Sequence, residues 1–418
     1  MKQFLKIVIG VAAIVSATSC KKTTELEIPN PNQQDESNFW KSATDARLGV
    51  NAIYRNFTRN GAPYSRWLPF YMDVRSDDGY STSGWPELQS ISGLNITQYS
   101  FEVNIDTWAH HWIGVNYANQ VLANVPNIEM DATLKNQYLG EAKFLRALYY
   151  YDLVTIWGNV PLLLTPSRPS DRPMQATPAQ VWTQIEKDLT EAAAALPVSY
   201  PSDELGRATK GAAYGLLGEK TVGNTRDPRL AVTVLYDSTD ERGPDFTSVY
   251  GSSWTSHGYD PDYNKRAWYH KYLDDYYRIN EFEVFNSPIN FRVIRYADVL
   301  LMYAEALNNL GQTNNAYQYV DRVRQRANLA KLSVIRPGMN QQQFLRQIMH
   351  ERVTELSGEC LRWNDLARWG YFDDPAKLAE LKARDPEFNN FRIPRNKYMP
   401  IPQSELDINA NLKQNTGW

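Results

Sequence analysis

The sequence predicts a mostly α-helical protein built from antiparallel helix hairpins, with a loop-rich part and few short strands. Three observations support this. Apolar residues recur at helical spacing through most of the chain; helix start and stop residues sit where those runs begin and end; and one long stretch, 237–290, has neither helical nor strand periodicity.

The first 20 residues stand apart. Lys2 and Lys6 precede an apolar run from Ile7 to Ala17. A bilayer span needs roughly 20 residues, so this run reads as an export signal. Small residues Ala17, Thr18 and Ser19 lead directly to Cys20. That order resembles a bacterial lipoprotein signal, in which Cys20 would be the acylated first residue of the mature chain; Ala17 departs from the leucine commonest three residues before the cysteine. The alternative is an ordinary secretory signal with a chance cysteine. Residues 21–37, KKTTELEIPNPNQQDES, are polar and aperiodic and read as a tether.

Helices follow. Residues 44–59 align Ala46, Val50, Ile53, Tyr54 and Phe57 on one face, and 104–125 do the same with Ile105, Trp108, Trp112, Val115 and Ala118. The longest amphipathic run is 131–157, ended by Gly158 at a C′ position. Thr177-Pro178-Ala179-Gln180 combines an N-cap, a proline at the first helical position and a glutamine that closes a capping box. Its helix runs to Leu196 and stops at Pro197. Another begins at 209–217. A β-prone run covers Leu230–Tyr236, and helices resume at 292–310, 313–329, 340–358 and 361–369. Gly311 hinges the first two of these, and short turns between helices suggest hairpins of the tetratricopeptide kind, without a fixed 34-residue period. The expected division is 38–220 and 221–418.

Composition narrows function. Net charge is −3, with no run of like charge, so nothing resembles a phosphate-binding surface for nucleic acid. Cys20 and Cys360 are the only cysteines, which excludes a disulfide framework or a cysteine zinc site, and the five histidines lack ligand spacing. Neither a metal nor a cofactor is expected. Catalytic patterns are approached and missed: GYSTSG (79–84) has Ser83 where a nucleophile elbow needs glycine, HERVT (350–354) lacks a second histidine, and DPDYNK (260–265) lacks the turn glycine of a calcium loop. Asp77/Asp78 and Asp274/Asp275 are sequence neighbours, whose side chains point apart. They make poor acid–base dyads unless distant carboxylates converge.

The 26 Tyr and 12 Trp outnumber 14 Phe, a bias towards half-exposed surfaces and binding sites. Two patches carry it. DVRSDDGYSTSGWPE (73–87) offers Arg75, Asp77 and Asp78 as hydroxyl partners beside Tyr80 and Trp85 as aromatic platforms. The second, 249–277, holds seven Tyr and two Trp, with Trp254, Tyr259, Tyr263 and Trp268 as the candidates. The competing reading of 73–87 is a capping and turn-forming loop in which Trp85 plugs the core. In 351–370, Arg352, Glu355, Arg362, Asp365 and Arg368 interleave with apolar residues at helical spacing and predict a corner locked by ion pairs along the helix.

Four blocks in order, GEAKFLRALYYYDLVTIWGNVPLL (140–163), VIRYADVLLMYAEALNNLG (293–311), ERVTELSGECLRWNDLARWG (351–370) and MPIPQSELDINANLKQNTGW (399–418), resemble the SusD/RagB family. The resemblance implies a tetratricopeptide-like helical scaffold and a surface lipoprotein rather than an enzyme. Such a protein would bind an oligosaccharide or other nutrient and sit over a SusC-type TonB-dependent transporter in the outer membrane, lipid-anchored and facing the exterior. Three departures accompany it. The chain passes directly from GRATKGAAYGLLGEK to TVGNTRDPRL, where a longer insert is usual and part of the ligand face is expected. Cys360 and Leu361 replace a usual Gly and a frequent His. Lys21 and Lys22 follow Cys20 where acidic residues mark surface export. The alternatives are a helical-repeat scaffold for peptides or proteins and a glycoside hydrolase.

Overall fold

The structure is a computed structural model that describes residues 39–59, 61–79, 81, 84–168, 170–217 and 291–418. It also describes the backbone of four two-residue strands between 234 and 269. The N-terminal signal and tether, with Cys20, lie outside these residues.

Helices dominate as the periodicity predicts. In chain order they are α1 (Ala43–Asn56), α2 (Pro86–Ser92), α3 (Glu102–Asn124), α4 (Ala132–Trp157), α5 (Pro178–Ala195) and α6 (Lys210–Leu217). After the aromatic stretch come α7 (Tyr296–Asn309), α8 (Thr313–Arg326), α9 (Leu332–Ile335), α10 (Gln341–Leu356), α11 (Arg362–Arg368), α12 (Pro375–Arg384) and α13 (Gln403–Ile408). Antiparallel pairs of two residues each, Val160–Pro161 with Gln175–Ala176 and Val234–Leu235 with Trp268–Tyr269, are among the few strands. The Val234–Leu235 strand falls within the β-prone run.

Local chemistry explains the boundaries. Thr177 and Gln180 close the expected capping box at α5, and Ser42 with Asp45 and Asn340 with Gln343 do the same at α1 and α10. Helix α12 has no counterpart in the sequence reading, although Asp374 caps it and Pro375 occupies its first turn.

Packing makes α4 the axis of the larger core. It lies against α1, α3 and α5. The run 131–157 reads as amphipathic, yet from Phe144 to Trp157 nearly every side chain is buried. A helix buried this fully is mostly apolar, and the polar side chains it encloses are paired, Asp152 accepting from Tyr64 Oη and lying 3.2 Å from His111 Nε2. The C-terminal tail closes the remaining side: Met399 N–H donates to the Ile156 carbonyl at 2.7 Å, and Asn415 Nδ2 donates to that of Trp157 at 2.7 Å. At Gly114 on α3, an added Cβ would lie 2.1 Å from the Tyr149 ring, so only glycine permits that approach. Buried Arg146 makes a bidentate contact with Asp188 at 2.7 and 2.8 Å and ties α4 to α5.

A second, smaller core lies among α7, α8, α9 and α10, with Leu301, Val320, Leu332, Phe344 and Ile348 at its centre. Gly311, at φ +75°, turns α7 into α8.

Candidate ligand-binding face

The segment before α2 is positioned by a single π-helical turn, Phe70–Val74, which packs against both α2 and α11. Such turns redirect the chain and are frequent at functional sites. The chain then folds back tightly: an added Cβ on Gly79 would be 2.9 Å from the Asp73 carbonyl oxygen. Ser76 Oγ donates to that same carbonyl at 2.6 Å and accepts from Asp78 N–H at 3.1 Å.

This turn directs the charged residues inward. Arg75 is 2 % exposed, and its guanidinium lies 3.6 Å from the centroid of the Trp363 ring. Burial lowers its pKa to about 9, and no guanidinium nitrogen has a hydrogen-bond partner among the described residues. Asp77 accepts two hydrogen bonds from Arg362, from Nε and Nη2, both at 2.6 Å. Burial opposes its ionisation, but Arg362 outweighs burial and holds the carboxyl below its ordinary range. Asp78 sits 3.7 Å from Arg362 Nε; burial is the larger influence there and raises its pKa to about 6. Asp73 is buried more deeply and accepts the Cys360 N–H at 2.8 Å. Burial, with the nearby Asp78 charge, raises its pKa to about 7.

Arg75, Asp77 and Asp78, expected as hydroxyl partners, therefore occupy interior positions. Each faces α11, Arg75 through the Trp363 ring and Asp77 and Asp78 through Arg362. The pair Asp77/Asp78 is a carboxylate clamp on Arg362.

Trp85 lies between the two alternatives. It is half-buried, caps α2 with its backbone, and packs on the larger core. Gly84, Pro86 and Gln89 around it are exposed. Its ring centroid is 5.7 Å from that of buried Trp67, and the Arg66 guanidinium lies 4.1 Å from the Trp67 centroid and 5.2 Å from that of Trp85. This Arg66–Trp67–Trp85 cluster, its two rings inclined at 58°, has no counterpart in the sequence pattern. Trp67 and Trp85 are 18 positions apart, and no periodicity joins them. Tyr80, Trp254, Tyr259 and Tyr263 lie outside the described residues, and Trp268 is described only by its backbone, paired with Leu235.

Cys360 is buried at φ +62°, in the left-handed region that glycine occupies freely. That accounts physically for a glycine being usual there. Among the described residues, no group of three or more His, Cys, Asp or Glu side chains could hold a metal ion.

A helical-hairpin scaffold carrying a half-buried aromatic cluster does not by itself define one chemistry. Comparison with known proteins identifies the class. The SusD family pattern matches residues 218–418, and a pattern described as "Starch-binding associating with outer membrane" matches residues 31–219. The chain is 25 % identical to SusD-like protein P25 of Formosa agariphila, covering 97 % of each. A crystal structure of a SusD superfamily protein from Bacteroides vulgatus superposes with a TM-score of 0.76 at 22 % identity, covering 91 % of this chain and all of that one. A structure described as a laminarin-binding SusD-like protein superposes at 0.70 with 25 % identity, covering 90 % of this chain and all of that one. The chain belongs to the SusD family.

Proposed function

We propose that this protein is a glycan-binding lipoprotein of the outer membrane that captures an oligosaccharide and delivers it to a SusC-type TonB-dependent transporter. Family membership along the whole chain carries this reading. The N-terminus, an apolar run followed by small residues and Cys20, supports a lipid anchor with 21–37 as the tether, and the family resemblance supports its facing the exterior. No helix among the described residues is long and apolar enough to cross a membrane, so attachment rests on acylation of Cys20 in this proposal.

The ligand face centres on Trp85. Sugar rings present CH-rich surfaces that pack on aromatic faces, while their hydroxyls need polar partners at the edge. Trp85 supplies the platform and Arg66 an edge cation; Tyr80 and the aromatic stretch with Trp254, Tyr259, Tyr263 and Trp268 extend the face in this proposal. The protein binds without turnover. The inward-facing Asp77 and Asp78 are spoken for by Arg362, which removes the one adjacent carboxylate pair of this segment from acid–base work.

Isothermal titration with laminarin and a panel of other glycans tests the reading. Trp85→Ala is expected to weaken binding roughly tenfold, the upper end of one aromatic contact. Unchanged affinity removes Trp85 from the site, and hydrolysis products overturn the non-enzymatic role. Cys20→Ala is expected to release the protein from membranes; a variant that stays membrane-bound refutes the anchor.

A further inference from the structure

A cavity lies on the opposite side of α11 from Asp77. On that helix Arg362 points to Asp77, whereas Asn364, Ala367 and Arg368 line the cavity. Position 362 is about 200° around the helix from 364 and about 120–140° from 367 and 368. The cavity has a volume of about 530 Å³, inside the roughly 300–1,000 Å³ range of small-molecule sites. Helices α4 and α5 supply its apolar floor through Val154, Ile185 and Leu189.

Its polar and aromatic wall is specific. Trp182 on α5 is 36 % exposed and meets the Tyr151 ring edge-to-face at 5.6 Å, which holds the indole in place while leaving ring surface open. Tyr398 provides another ring. Asn364 Nδ2 donates to the Tyr151 hydroxyl at 3.1 Å. Arg368 is fixed through Nε to Asp365 at 3.0 Å, but its buried Nη1 has no hydrogen-bond partner among the described residues. The Glu305 carboxylate lies 3.8 Å from that nitrogen, beyond hydrogen-bond reach.

Charge selects the ligand class. Arg368 is already balanced by Asp365 and Glu305, and Lys397 by Asp373 at 2.7 Å, while Glu186 adds a negative rim. An anion would meet those carboxylates. A cation would meet Arg368 and Lys397 in the wall itself. A neutral, hydroxyl-rich ring meets no unbalanced charge there, finds polar partners in Asn364 and Glu186, and packs on Trp182 and Tyr398.

We propose that this cavity is a second carbohydrate site, taking a neutral mono- or disaccharide unit independently of the Trp85 face. The ligand class rests on the glycan-binding reading above, while the location does not. Fluorine NMR of the full chain labelled with 5-fluorotryptophan tests it, with the Trp182 and Trp85 resonances assigned by Trp→Phe variants. Laminaribiose, cellobiose, maltose and xylobiose serve as probes. The Trp182 resonance is expected to move saturably with at least one of them, and to do so equally in Trp85→Ala. Calorimetry on Trp182→Ala, a partly exposed position that tolerates truncation, is expected to show roughly tenfold weaker binding of that disaccharide. A Trp182 resonance indifferent to all four probes overturns the cavity site, as does a shift that vanishes in Trp85→Ala. Movement of Trp85 alone leaves the main ligand face standing and removes only the cavity. Movement of Trp182 alone sustains the cavity and removes the Trp85 face.

Discussion

The 73–87 segment and the 351–370 block draw on the same residue types, arginine, aspartate and tryptophan, yet only one is legible as structure in the sequence. The block repeats its charges at helical spacing and reads as an ion-paired corner; the segment has no period and reads as a binding loop. In the fold they are two halves of one clamp. Asp77 closes on Arg362, and Asp73 accepts the N–H of Cys360.

Even within the block, the pairs run differently from the periodicity. Arg368 does bridge to Asp365 three residues away. The others cross between elements: Arg352 reaches Asp298 on α7 and Asp365 on α11, Glu355 takes both Arg295 and Arg326, and Glu351 takes Arg324. Helical spacing places charges on a face, but burial decides which partner they take. A buried charge without its partner costs several kcal/mol.

The largest effect is therefore expected at the centre of the block. Arg352→Met leaves Asp298 and Asp365 short of their shared cation, and urea unfolding should show a loss of about 3–5 kcal/mol. A loss below about 1 kcal/mol would mean that the network holds nothing together. Arg362→Met tests the joint between the two regions. About 2–3 kcal/mol is expected, less than for Arg352 because Arg384 stands 3.9 Å from Asp77 and can partly substitute. A double-mutant cycle with Asp77→Asn should return a coupling of about 1–3 kcal/mol; additivity would separate the regions.

The pH dependence probes the segment's side of the clamp. Asp73 titrates near 7 in the fold against an ordinary 3.8. Between those values the native state retains a proton that the unfolded chain has released, so stability falls as pH rises, by up to about 1.4 kcal/mol per pH unit. Asp78, raised to about 6, acts in the same direction. Asp77, lowered, contributes stability that is lost only as pH falls below the ordinary carboxylate range. Asp73→Asn keeps an acceptor for Cys360 N–H and should flatten the slope between about pH 4 and 7. An unchanged slope would place the titration elsewhere.

The smallest effect is expected away from both regions. Lys143 pairs with Glu191 at 2.7 Å between α4 and α5, with both side chains substantially exposed. Lys143→Ala should change stability by about 0.5 kcal/mol or less, because water screens an exposed pair. A larger loss would remove the contrast between buried and exposed pairs.

The sequence by itself determined the helical class, the start of α5 at Thr177, the stop of α4 at Gly158, and the family to which the chain belongs. The first three follow from capping and periodicity, which act over about four residues and need no distant partner, and the family from the resemblance of four sequence blocks kept in order. Tertiary structure alone decided that Asp77 and Asp78 turn inward, that Trp85 is half-buried on Trp67, and that the second half of α4 is almost wholly buried. Each of those outcomes depends on atoms brought together from far along the chain; Asp77 and Arg362 are separated by 285 positions. A carboxylate's role is set by whether a cation or water reaches it first, and no local pattern of residues records which of them does.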